Sequence, residues 1–206
     1  MLNIITSQFK KPRGAWGVLI SSIMYYHNKK IYYEIEKHAS FHDGISVLEI
    51  GFGPGFGIKH LLTKYKMIYF GVDFSELMYA NVKRKCEKLI RNNILKLVFG
   101  DFLTCEFDSQ SINIVFFSNV TYFWKELSVP FERILKVLKN NGELVFYMEN
   151  KNLLEKESVS NNENFYKHDV EDIRNELKEI GFTNIECINV FDNNNERFIV
   201  KAKKNG

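Results

Sequence analysis

The sequence predicts an α/β fold. The expected architecture is a seven-stranded, mostly parallel sheet with helices on both faces, a C-terminal antiparallel hairpin and an N-terminal helical lid. Three observations predict it. Short apolar runs of strand length alternate with segments of helical period, the signature of strands joined by crossover helices. A glycine-rich turn, Gly51 to Gly57, follows the first of those runs. The last two runs are separated only by Asp192-Asn193-Asn194-Asn195, a hairpin signal unlike the connections before it.

Before the first strand two apolar periods are visible, one through Trp16, Ile20, Ile23 and Met24 and one through Ile31, Tyr32, Ile35 and Ala39. His27-Asn28 reads as the break between two short helices. Residues 1–43 are therefore expected to form a helical segment. It either packs on the sheet edge or, given Trp16, Tyr25, Tyr26 and His27 just upstream of the glycine turn, covers the site as a lid. Residues 44–206 are expected to form one compact unit.

Val47-Leu48-Glu49-Ile50 ends the first buried strand, and Ile58, Leu61, Leu62 and Tyr65 give the helix after the turn. Lys66–Val72 is the second strand, ending in Asp73. Ser75 caps the next helix, with Met78, Val82, Cys86 and Leu89 on one face. Leu95–Phe99 is the third strand, closed by Gly100-Asp101-Phe102, and Ile112–Phe117 is the fourth and central one. Ser128 with Pro130 opens a helix whose Leu127, Phe131, Ile134, Leu135 and Leu138 share a face. Asn140-Asn141-Gly142 turns into a fifth strand, Glu143–Met148. The polar stretch 149–164 reads as a loop. Asp169 caps the last helix and Gly181 ends it, before strands Thr183–Val190 and Glu196–Ala202.

Composition narrows the function classes. A chain of 206 residues can bury roughly 70% of its unfolded surface around one core. The net charge of +3 is mild and the lysines are scattered, which argues against a nucleic-acid groove. The 3 cysteines, Cys86, Cys105 and Cys187, are far apart and form no C-x-x-C pair or disulfide framework. With no membrane-length apolar run and no leader-like start, a cytoplasmic protein is expected. No H-E-x-x-H or similar spacing suggests a metal, and nothing fixes an oligomeric state.

The turn itself carries the most chemistry. Strand, glycine turn and helix bring backbone N–H groups and a helix N-terminus against a ligand. A dinucleotide fingerprint needs G-x-G-x-x-G, but Phe56 stands three residues after Gly53 and Ile58 three after Gly55. What is present is E-x-G-x-G-x-G, from Glu49 to Gly55. Glu49 would repel a diphosphate, yet it suits a ligand bearing an amine and a sulfonium. In this motif the chain resembles the class I S-adenosylmethionine-dependent methyltransferases, which share a Rossmann-like fold. The resemblance runs from Gly44 onward, and it implies S-adenosylmethionine as cofactor. Asp73, about twenty residues beyond the turn, offers two acceptor oxygens to a ribose, and NAD enzymes use an acid there too. Asp101 matches the family acid that meets the adenine amine, and Phe102 the residue that packs on the ring. With Gly51, Gly53, Gly55, Phe74, Met78 and Asn119 they make the expected cofactor set.

After the fourth strand, Asn119-Val120-Thr121-Tyr122-Phe123-Trp124 lacks the N-P-P-Y prolines of enzymes that methylate exocyclic amines of bases. It is similar instead to loops of small-molecule methyltransferases of the ubiquinone/menaquinone-biosynthesis type. A small-molecule substrate is implied, methylated by in-line displacement. Where an acceptor must lose a proton, Tyr122, His27 and His168 are the candidate bases. Two alternatives stay open: a non-catalytic adenosyl-ligand-binding or regulatory protein on the same fold, and an NAD-type oxidoreductase, opposed by the missing fingerprint glycine.

Overall fold

The computed structural model describes residues 29–156, 165–191 and 196–206. The expected helix around Trp16, the lid role of the segment before residue 29, and His27 lie outside them. The second apolar period does form a helix, α1, over residues 29–38. In chain order there follow β1 (Ser46–Ile50), α2 (Phe56–Lys64), β2 (Ile68–Asp73), α3 (Glu76–Lys85), α4 (Glu87–Arg91), β3 (Leu95–Phe99) and β4 (Ile112–Ser118). A 3-10 turn (Thr121–Phe123), α5 (Ser128–Val137), β5 (Leu138–Glu149), α6 (Lys151–Lys156), α7 (Val170–Ile180), β6 (Phe182–Asn189) and β7 (Arg197–Lys204) complete it.

The sheet has 7 strands in the order β3-β2-β1-β4-β5-β7-β6. Strands β1 to β5 are parallel; β7 runs antiparallel between β5 and β6. The chain steps outward from β1 to β3, then returns to lay β4 on the other flank of β1. The order thus reverses between β1 and β4. In open α/β sheets ligands bind outside the C-terminal ends of the strands at such a reversal.

Side-chain alternation fills both faces. Val115 and Phe117 of β4, with Leu144 and Phe146 of β5, meet Phe131 and Ile134 of α5 and Ile173 and Leu177 of α7. The Phe117 and Phe146 rings stack with centroids 4.5 Å apart. Ile114 and Phe116 point the other way and meet Ile31 and Ile35 of α1, Ile58 and Leu61 of α2, and Met78 and Val82 of α3. A sheet covered on both faces explains why its central strands are nearly all apolar.

Capping follows the sequence signals. Ser75 Oγ accepts the Met78 N–H and Asp169 Oδ1 accepts the Glu171 N–H, while Gly181 closes α7 at φ +107°. Three details differ from expectation. The helix after Ser75 breaks at Cys86, resetting the chain so that both Leu89 and Ile90 pack against the core. Strand β5 begins at Leu138, which pairs with Ile112 before an irregularity around Asn141 (φ +62°). A short helix, α6, stands in the polar stretch because Leu153 and Leu154 are buried there.

Gly71, in the middle of β2, makes room for Phe52, which is fully buried under the turn. A Cβ at Gly71 would lie 2.9 Å from Phe52 Cδ1 and 3.1 Å from Leu97 Cδ2. Gly71→Ala is therefore expected to destabilise the fold by about 1–3 kcal/mol through overpacking, read as a lower urea midpoint at unchanged m-value. An unchanged midpoint would contradict this packing.

Candidate active site

At the C-terminal edge the strand tips are stitched together by backbone hydrogen bonds. The Gly51 N–H donates to the Val72 carbonyl (2.8 Å), Gly100 N–H to Asp73 (3.0 Å) and Asn119 N–H to Tyr147 (3.3 Å). Gly51, Gly53 and Gly55 lie at φ +73°, +50° and +83°, a conformation L side chains rarely adopt. The side chains that meet this edge come from β1, β2, the β3 loop and the β4 loop.

Asp73 is the organising residue. Its Oδ2 accepts the Gly53 N–H at 2.7 Å and its Oδ1 accepts the Ser75 N–H at 2.8 Å. One carboxyl thus fixes the glycine turn to the start of α3. It is 7% exposed, and burial raises its pKa to about 6 against the pull of those two amides. An ionised carboxylate has about four acceptor sites, so two remain for ligand hydroxyls.

Glu49 lies on the same sheet face, completely buried. Tyr32 of α1 donates to Oε1 and Tyr69 of β2 to Oε2, each at 2.5 Å. Burial lifts its pKa to about 7; the two phenols oppose that rise and Asp73 adds to it. Burial, with the neighbouring Glu49 charge, pushes both tyrosines well above their usual range, so they act as donors only. Gly57 completes the enclosure: a Cβ there would stand 2.6 Å from both Glu49 Oε1 and Tyr32 Cε1. The last glycine of the run serves helix–strand packing, and Glu49 sits beneath the turn.

Asp101 is exposed, its Oδ1 accepting the Leu103 N–H at 2.9 Å in a local turn. Phe102 lies under the edge, 3% exposed, with Arg133 5.4 Å from its ring centroid and Phe107 at 6.0 Å. Its ring packs against the core. Phe74, half-buried, meets Phe123 edge-on at 5.9 Å. Met78 is buried beside Val82, whose Cγ2 lies 3.0 Å from where a Gly55 Cβ would be.

The β4 loop closes over the turn. Val120 Cγ2 lies 2.9 Å from the Cβ position of Gly51. Asn119 adopts φ +59°, and its Oδ1 accepts the Tyr122 hydroxyl at 3.2 Å. That hydroxyl also accepts the Glu149 N–H at 2.6 Å, and the Tyr122 ring stacks on Phe165 at 4.8 Å. Tyr122 is thereby braced on both sides. His168 Nε2 lies 2.8 Å from the Trp124 carbonyl, which can only accept, so Nε2 is the nitrogen that donates. Ser118 Oγ and Thr121 Oγ1 are buried with no hydrogen-bond partner among the described residues.

Sequence reasoning missed Tyr32, Tyr69, Ser118 and Thr121. Each looked like an ordinary core or loop residue, and only the buried Glu49 hinted that donors must lie nearby. Among the described residues no group of His, Cys, Asp and Glu could hold a metal, and no helix is long and apolar enough to cross a membrane.

A sequence-family profile described as a methyltransferase domain matches residues 48–146, from β1 into β5. Phosphoethanolamine N-methyltransferase 2 of Caenorhabditis elegans is 27% identical over 163 residues, 76% of this chain and 36% of that protein. An uncharacterized methyltransferase of Bacillus subtilis (strain 168), YdaC, is 26% identical over 107 residues, 52% of this chain and 57% of that one. The chain thus spans little more than half, or less, of the length of these curated relatives. Among solved structures, phosphoethanolamine N-methyltransferase 2 of Haemonchus contortus, in complex with phosphomonomethylethanolamine and S-adenosylhomocysteine, superposes with a TM-score of 0.73. It shares 19% identity, and the match covers 86% of this chain and 53% of that one.

The titration of Glu49 has a definite sign. Its folded pKa of about 7 lies above the ordinary 4.5, so between those values the folded state holds more protons than the unfolded one. Stability from this group is therefore lost as pH rises from about 4.5 to 7, by at most about 3 kcal/mol. Relative to Glu49→Gln, the wild type is expected to lose thermal stability between pH 5 and pH 8. A wild-type-minus-variant difference in Tm that stays constant with pH would contradict this.

Proposed function

Because the chain belongs to the class I S-adenosylmethionine-dependent methyltransferases, we propose that it transfers a methyl group from S-adenosylmethionine to a small molecule. One observation carries the reading. At the sheet reversal a glycine turn is pinned by Asp73, with Glu49 buried beneath it and Asp101 exposed at the next strand end.

The residues fit the adenosyl group on their own terms. Among the described residues a Cβ on Gly53 would find nothing closer than the Gly51 carbonyl at 4.0 Å, so their packing does not require this glycine and leaves its face open to a ligand. Two buried carboxyls with raised pKa, and no cation acting on them among the described residues, suit a positively charged guest. The hydroxyls of Ser118, at the end of β4, and Thr121, in the loop after it, have no hydrogen-bond partner among the described residues. In this reading Asp73 holds the ribose hydroxyls, Asp101 the adenine amine, and Phe74 and Met78 flank the base. Glu49 supplies the negative field near the methionine end.

When bound, the cofactor supplies a methyl group already activated on a positively charged sulfur. The protein's part is alignment and exclusion of water. The acceptor's lone pair forms the bond to the methyl carbon as the carbon–sulfur bond breaks and the sulfur keeps that electron pair. Asn119, held at positive φ and braced by Tyr122, shapes the wall on the acceptor side. Where the acceptor carries a proton, His168, its Nε2 fixed on the Trp124 carbonyl, is the candidate base. The C. elegans and H. contortus relatives are named for methylating phosphoethanolamine, which puts phosphorylated amino alcohols first in a substrate panel.

Asp73→Asn keeps the shape but removes the charge that grips Gly53, Ser75 and the ribose. Losing charge-assisted hydrogen bonds worth about 1.5–3 kcal/mol predicts a roughly ten- to hundredfold weaker S-adenosylhomocysteine affinity by calorimetry. Unchanged affinity would refute the pocket assignment. Incubation with methyl-labelled cofactor and a panel of phosphorylated amino alcohols, quinone precursors and phenols is expected to give transfer to at least one of them. Tight cofactor binding with no transfer to any would favour a non-catalytic adenosyl-binding role.

A further inference from the structure

The Tyr32–Glu49–Tyr69 cluster has no part in holding the glycine turn itself, which Asp73 already does. Two phenols at 2.5 Å on a completely buried carboxyl are more than packing requires. Among the described residues, the ionisable groups acting on Glu49 are Tyr32 from α1 and Tyr69 and Asp73 from β2, none of them a cation. β4 presents Phe116 opposite it and α2 presents Gly57. The carboxyl is therefore desolvated and well supplied with donors but has no counter-charge among the described residues.

We propose that Tyr32 and Tyr69 are positioning residues that make Glu49 a sensor of ligand charge, favouring the sulfonium cofactor over its thioether product. The inference rests on the adenosyl-cofactor reading above. S-adenosylmethionine carries one more positive charge than S-adenosylhomocysteine, and the two differ otherwise only by the methyl group. A carboxylate in water would scarcely register that difference, because solvent screens it. A buried one does, since low local dielectric magnifies Coulomb terms. The donors keep ionisation within reach near neutral pH, where desolvation alone would push it higher. Binding of the cation then draws the proton off Glu49. Loss of the methyl group, and with it the sulfur's charge, lets the proton return and loosens the product. Because Tyr32 belongs to α1, the seating of that helix is tied to the same event.

Calorimetric titration of the full chain with S-adenosylmethionine and S-adenosylhomocysteine at pH 6, 7 and 8 tests this. The ratio of the two affinities is expected to rise about tenfold over that range as Glu49 ionises. Glu49→Gln is expected to flatten the rise, and since the variant sees the same titration of the ligands, the difference belongs to the carboxyl. Tyr32→Phe, which removes one donor, is expected to move the midpoint to higher pH. For the wild type alone, repeating the titration near pH 6.5 in buffers of different ionisation enthalpy is expected to show proton release with S-adenosylmethionine in excess of that with the product. A ratio with the same pH dependence in wild type and Glu49→Gln, or equal proton release for both ligands, would overturn the inference while leaving the cofactor reading intact. Failure of the wild type to bind either ligand would sink both.

Discussion

One carboxyl group holds the candidate site together. Asp73 accepts the Gly53 amide with one oxygen and the Ser75 amide with the other, at 2.7 and 2.8 Å. The first bond fixes the glycine turn between β1 and α2; the second fixes the start of α3. Because β2 lies beside β1 in the sheet, a single side chain at its tip can reach both. The left-handed glycines make the turn possible, but Asp73 makes it definite. The remaining edge contacts, from Gly51 to Val72 and from Gly100 to Asp73, extend the same frame along the strand ends.

That frame is built at an electrostatic cost. Two carboxyls are buried on one face of the sheet, and each has its pKa lifted chiefly by burial. Hydrogen bonds from Tyr32, Tyr69, Gly53 and Ser75 offset part of the desolvation, and Asp73 works against Glu49. Neither carboxyl can simply be made apolar, because the buried donors it satisfies would then be stranded. Local conflict of this kind is expected where a protein binds something, and a ligand with positive charge resolves it. The fold, its reversal between β1 and β4, the acidic edge and the methyltransferase-domain match from 48 to 146 therefore converge on one reading.

Much of the frame is legible in the sequence. The strands fall on the apolar runs, Ser75 and Asp169 cap the helices they precede, and Gly181 ends α7 as its position suggests. The glycine turn and the acids at three strand ends are visible because their chemistry is local. What escapes is set by distance through space. Tyr32 and Tyr69 stand 17 and 20 residues from Glu49 and read as members of ordinary apolar periods. Gly71 looks like a weak point in a strand until Phe52 is seen lying against it. Phe102 reads as a ring at the edge, and nothing local announces the Arg133 guanidinium that lies over it. The early start of β5 depends on Leu138 finding Ile112, a pairing no local pattern encodes. Charges at strand tips announce themselves, whereas the partners that tune them come from elsewhere in the chain.

Amide NMR of the labelled protein during titration with S-adenosylhomocysteine tests most directly whether Asp73 and the glycine turn form the adenosyl site. Saturable shift changes are expected to centre on Gly51 to Gly57, Asp73 to Ser75 and Asp101 to Leu103, with α7 and the β6–β7 hairpin unmoved. Changes confined to the hairpin or α7, or no saturable change at all, would contradict it.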